Sequence, residues 1–125
     1  MQDKAKRHPF LDDLHEDVIL VTSVLNRPVR GKTEVLKVVK AGAQQYASQT
    51  ARFLDHVGQR SFFEYDATLT DGQAARGLVS IERDASGKVT ELHIAFSPLA
   101  AVYSLAGSVR QILRDEIDPG FFVEH

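Results

Sequence analysis

The stretch Ala74-Ala-Arg-Gly-Leu-Val-Ser-Ile-Glu-Arg-Asp-Ala-Ser-Gly-Lys-Val-Thr-Glu-Leu-His-Ile-Ala-Phe96 reads as strand, turn, strand. Val79 and Ile81 stand two apart before the break. After it, Leu92, Ile94 and Phe96 share one face against Glu91, His93 and Ala95. A period of two belongs to half-buried strands, here Ala74–Arg83 and Val89–Phe96. Asp84-Ala-Ser-Gly87 between them carries hairpin chemistry. Upstream, Ser61–Leu69 and Ala51–Val57 follow the same rhythm, with breaks at Thr70-Asp-Gly72 and Gly58-Gln59. Strands joined this tightly must be antiparallel neighbours.

On either side of these strands the period lengthens. Ser97 can cap a helix and Pro98 suits its first position. Leu99, Val102, Leu105, Ala106, Val109, Ile112 and Leu113 then form an apolar stripe. A helix from Pro98 to Ile117 is expected, stopped by Asp118-Pro-Gly120. Before the strands, Val35, Leu36, Val38, Val39, Ala43 and Tyr46 recur at helical spacing, with Gly42 as the weak point. Val18–Val24 is β-branched and predicts a strand. Pro28 ends it by holding Arg27 out of the helical region. Phe10, Leu11 and Leu14 suit a helical turn or two, ringed by Asp12, Asp13, Glu16 and Asp17. Residues 1–9 are polar and read as a frayed end, and residues 118–125 as a tail. This order predicts a single α+β domain over residues 1–125.

Composition excludes several functions. Fifteen basic against seventeen acidic residues leave a formal charge of -2, which argues against nucleic acid as partner. With no Cys, disulfides, thiolate metal sites and Cys nucleophiles are ruled out. No apolar run approaches the roughly 20 residues of a membrane span. The expectation is a soluble cytoplasmic protein that does not engage membranes. His8, His15, His56, His93 and His125 show no helical metal spacing, so neither metal nor cofactor is expected. Gly31-Lys-Thr33 lacks the earlier glycine of a phosphate loop.

Two segments carry a family likeness. Leu14-His-Glu-Asp-Val-Ile-Leu20 with Arg27-Pro-Val-Arg-Gly31, and Ala85-Ser-Gly-Lys-Val-Thr-Glu-Leu-His-Ile-Ala-Phe96 followed by Ser97-Pro-Leu-Ala-Ala-Val102, resemble nuclear transport factor 2-like, or SnoaL-like, domains. The likeness runs from about Phe10 to Leu113 and its motifs are soft. It implies a cystatin-like cone, in which a curved antiparallel sheet wraps around helices and encloses a largely apolar pocket. Homodimers are common in the family, whose members include ketosteroid isomerases, polyketide cyclases, epoxide hydrolases and adaptors. The long first helix that lids such cones is reduced here. Either the last helix with its Phe121-Phe122 tail covers part of the mouth or meets a second subunit, or the tail is disordered.

The same resemblance maps the isomerase base onto Thr22 and its neutral-acid donor onto Val79, eight residues before Gly87. Neither residue can do that work. The hydrolase carboxylate at the end of the last strand falls on Ser97. If Thr22 and Val79 face the cavity as the resemblance implies, parity extends the inner wall. Leu20, Thr22, Phe63, Tyr65, Val79, Ile81, Leu92, Ile94 and Phe96, with Val39 from the helix, are the candidate ligand-binding residues, and Val24 and Gly77 lie beside them. Such a wall is either a packed core or a pocket for a small hydrophobic molecule, which would need a void of a few hundred Å3. Two alternatives stand beside ligand binding. One is an enzyme of the same fold with a different catalytic set, such as His56 with Tyr65 or Asp55. The other is a dimeric protein–protein adaptor using either the aromatic tail or the opposite face, where Glu64, Asp66, Ser80, Glu82, Glu91 and His93 lie. Arg27 and Arg30 could grip an anion at the rim, although loop arginines are usually just solvated.

Overall fold

A computed structural model describes residues 9–125. Residues 1–8, most of the expected frayed end, lie outside the described residues. The chain begins with a 3-10 turn, Pro9–Asp13. It continues through strands β1 (Leu14–Thr22) and β2 (Val29–Arg30), helix α1 (Lys32–Ala43), strands β3 (Tyr46–Val57), β4 (Arg60–Leu69), β5 (Ala74–Arg83) and β6 (Val89–Ser97), helix α2 (Leu99–Ile112) and a 3-10 turn, Pro119–Phe121. One six-stranded sheet runs in the order β2-β1-β6-β5-β4-β3. All its pairs are antiparallel except β1–β6, which is parallel. That pair needs the long crossover through α1 and the β3–β5 meander. No helix of the described residues is long and apolar enough to cross a membrane.

The hairpin chemistry acts where it was read. Gly87 sits at φ +88°, open to glycine without strain. The Asp84 carboxylate accepts from the Ser86 and Lys88 amides in the same turn. Curvature comes from breaks in register, notably between Ala51 and Phe53 on β3, where Arg52 is the extra residue. The concave face carries the core: Val18, Leu20, Val79, Leu92, Val35, Leu105 and Val109 are almost fully buried.

Several element boundaries differ from expectation. The first strand covers Leu14–Thr22 rather than Val18–Val24. Leu14 already points into the core, while beyond Thr22 the chain turns, with Leu25 N–H donating to the Thr22 carbonyl. Helix α1 stops at Ala43, and Tyr46 opens β3 instead of closing the helix. Strand β3 thus starts five residues early, because pairing to β4 overrides the polar run Ser48-Gln-Thr50. Ser97 does not cap α2. It ends β6 opposite Arg76, and Pro98 is the residue that flanks the helix. Helix α2 ends at Ile112, the rest of the expected helix being turns.

The C-terminal tail is folded onto its own chain. Phe122 is 2% exposed and bridges to Leu25. Asn26 holds the tail through its amide to the Phe121 carbonyl and its side chain to the Gly120 carbonyl. The Arg27 guanidinium lies 4.1 Å over the Phe121 ring.

The convex face is charged as read, and several of the charges are paired. Arg52 contacts Glu64 and Asp66, Arg76 contacts Asp66, and Arg60 contacts Glu82 and Ser80. Hydrogen bonds from Arg76 and Arg52 hold the Asp66 carboxyl below its usual range. All these groups are solvent-exposed enough that each pair contributes little to stability. On the same face Phe53 and Leu78, which flank Glu64 across the strands, are both about half exposed.

Candidate functional site

Sheet parity builds the site. Thr22 pairs with Ile94, and Ile94 with Val79, so these side chains stand side by side on the concave face. Leu20 and Val24 extend that wall, while Val38 and Val39 from α1 and Leu105 and Val109 from α2 close it from the helix side. Tyr65, Tyr46, Phe96 and Phe10 complete the enclosure near Gly42 and Ala43. The enclosed space is about 40 Å3, far below the few hundred that a drug-sized ligand occupies. Aromatic rings pack along one side of this space. Phe10, Phe63, Tyr65 and Tyr46 form a continuous row, with successive ring centroids 6.0, 6.3 and 5.7 Å apart.

Three polar residues belong to this otherwise apolar wall: Thr22, Tyr46 and Tyr65. The tyrosine hydroxyls are 2.6 Å apart and hydrogen-bonded. Burial, opposed by the bond from Tyr46, pushes the Tyr65 phenol up to about 12. Burial also drives Tyr46 well above its ordinary value, reinforced by the neighbouring Tyr65. Both are neutral hydrogen-bonding groups at physiological pH. Thr22 is different: it is 8% exposed, and its Oγ1 has no hydrogen-bond partner. An orphaned buried hydroxyl costs about 1–3 kcal/mol.

Tyr65 reaches the site because β5 makes room. Its register partner on β5 is Gly77. A Cβ there would lie 2.7 Å from Tyr65 Oη and 2.8 Å from Cε1, and closer still to Cζ. The ring therefore lies flat across the glycine backbone.

Of the residues expected to line a pocket, Leu20, Thr22, Val39, Tyr65, Val79, Ile94 and Phe96 do so. Phe63, Ile81 and Leu92 do not line it. Ile81 and Leu92 pair with each other farther along the sheet and pack as buried core. Phe63 is covered by Phe10 and Tyr65. Sequence reasoning missed Phe10, Val38, Gly42, Ala43, Tyr46, Leu105 and Val109 as liners. The helical stripes contained most of them, but periodicity shows which face is buried and not which part of it meets a void.

The alternative catalytic sets are not assembled. His56 is exposed, with Nδ1 2.7 Å from Ser61 Oγ, and neither residue reaches the enclosed space. Asp55 caps the His56 amide instead. Among the described residues, no carboxylate, imidazole or amine lines the space, and no group of three or more His, Asp or Glu converges as a metal site would.

Known structures share this architecture. An uncharacterised bacterial protein from Silicibacter pomeroyi, described as having a cystatin-like fold, superposes with TM-score 0.79 at 17% identity, over 86% of this chain and 75% of that one. This chain has the cystatin-like cone fold. A steroid delta-isomerase from Pseudomonas aeruginosa shares the cone with TM-score 0.77 at 15% identity, covering 83% and 77% of the two chains. A SnoaL-like polyketide cyclase homologue from Jannaschia sp. follows at TM-score 0.61 and 11% identity, covering 78% and 76%. Identities this low establish the cone and leave the chemistry open. No protein-family model and no curated protein sequence matches the chain.

Proposed function

We propose that the cone binds a small hydrophobic molecule bearing one hydroxyl or carbonyl oxygen, and that it does so without acid–base catalysis of the isomerase kind. The unpartnered Thr22 hydroxyl inside an apolar enclosure carries this reading. A ligand oxygen would satisfy Thr22 while the ligand body replaces poorly packed space. The position of an isomerase base is held by that same hydroxyl, and the neighbouring tyrosines are too weakly acidic to act as bases near neutrality. A cavity of about 150 Å3 accepts benzene, so the 40 Å3 here admits a ring only when half-buried liners such as Val39, Tyr46 and Phe96 turn aside. The expected ligand is accordingly small, nearer one ring than a steroid.

The test pairs phenol with benzene in titrations of the isotope-labelled protein, followed by amide shifts. Phenol should perturb Thr22 and Ile94 and bind about fivefold more tightly than benzene, the ratio one neutral hydrogen bond gives. Thr22→Val should erase that preference and stabilise the ligand-free protein by about 1–2 kcal/mol. Equal affinity for the two probes, unchanged in Thr22→Val, would refute the reading. A second reading, a homodimer or adaptor working through the convex face, is supported by the exposed Phe53 and Leu78 side chains on either side of Glu64. It does not compete with the pocket.

A further inference from the structure

The liners of the enclosed space divide by exposure. Leu20, Thr22, Val79 and Ile94 on the sheet side are buried, whereas Val39, Gly42, Tyr46 and Phe96 are only partly buried and Ala43 is exposed. The thin part of the wall is therefore the last turn of α1, where it passes to β3. Gly42 lies inside that helix, where glycine is less favourable than alanine. Nothing local explains the choice. Its φ is not in the left-handed region, and a Cβ at this position would meet no heavy atom within 4 Å. Packing and backbone geometry would both accept alanine.

We propose that Gly42 is the entry portal to the cone: the missing side chain leaves a gap between α1, Tyr46 and Phe96 through which a single-ring molecule with a polar oxygen passes to reach Thr22. The inference rests on the pocket reading above. The route ends at the Thr22 hydroxyl, which is more than nine-tenths buried, unpartnered and part of the same wall. The portal sets the rate and the size limit of entry, while Thr22 sets the preference for an oxygen.

A graded set, Gly42→Ala, Gly42→Val and Gly42→Leu, tests this with phenol as probe, its association rate read from exchange broadening of the amide signals. Gly42→Ala should raise Tm by about 3 °C and slow phenol entry only slightly. The rate should fall with side-chain size, at least tenfold in the largest variant that folds. A folded Gly42→Val or Gly42→Leu protein that takes up phenol at the wild-type rate overturns the portal while leaving the pocket reading intact. Failure of the wild-type protein to bind phenol at all overturns both.

Discussion

Truncation of Phe122 to alanine should destabilise the protein by about 3–5 kcal/mol, the range for deleting a large buried aromatic side chain. The ring is 2% exposed, so almost none of its area is regained from solvent in the folded state. Its backbone is also anchored: Phe122 bridges to Leu25, Val123 N–H donates to the Val24 carbonyl at 3.0 Å, and the Asn26 side chain donates to the Phe122 carbonyl at 3.3 Å. Those bonds tie the tail to the turn that follows β1, immediately beside Thr22. Urea unfolding measures the loss, and Phe121→Ala is the comparison. Phe121 is only half-buried and stacks on Arg27, so its removal should cost clearly less. Equal, small effects at both positions would mean that the tail is an appendage and not part of the core.

Gly77→Ala should cost about 3 kcal/mol, the upper end of the usual range for overpacking. The added methyl would stand 2.8 Å from Tyr65 Cε1 and 2.7 Å from its hydroxyl. Tyr65 cannot step aside cheaply, since it is buried and its hydroxyl is bonded to Tyr46. A double-mutant cycle separates ring from hydroxyl. In a Tyr65→Phe background the cost should persist, because the ring carbons still clash. In a Tyr65→Ala background it should largely disappear. A Gly77→Ala penalty independent of residue 65 would show that β5 needs glycine for its own backbone, and that Tyr65 is not held by the contact described.

Much of the architecture was legible from local signals. Four strands were readable because their apolar residues alternate and their breaks contain glycines that the turns require, Gly87 among them. Strand β3 was legible only from Ala51 onward, since Tyr46-Ala-Ser-Gln-Thr50 pairs with β4 without an apolar alternation of its own. The β1–β6 parallel pair and the burial of Phe122 depend on contacts between distant segments, which no local pattern encodes. At the site, the resemblance placed Thr22 and Val79 on the inner face, and parity with the apolar pattern added Tyr65. Neither could show that Tyr46 leaves the helix to meet Tyr65, or that the space amounts to only about 40 Å3. Gly42 looked like a blemish in a helix, and only the three-dimensional wall shows what its missing side chain leaves open.

The most direct measurement is a crystal structure grown in saturating phenol. The ring should lie against Val79 and Ile94, with its oxygen within hydrogen-bond distance of Thr22 Oγ1. A cone interior that excludes phenol, or one that holds the ring with its oxygen turned away while Thr22 stays unpaired, would contradict the proposal that this hydroxyl waits for a ligand.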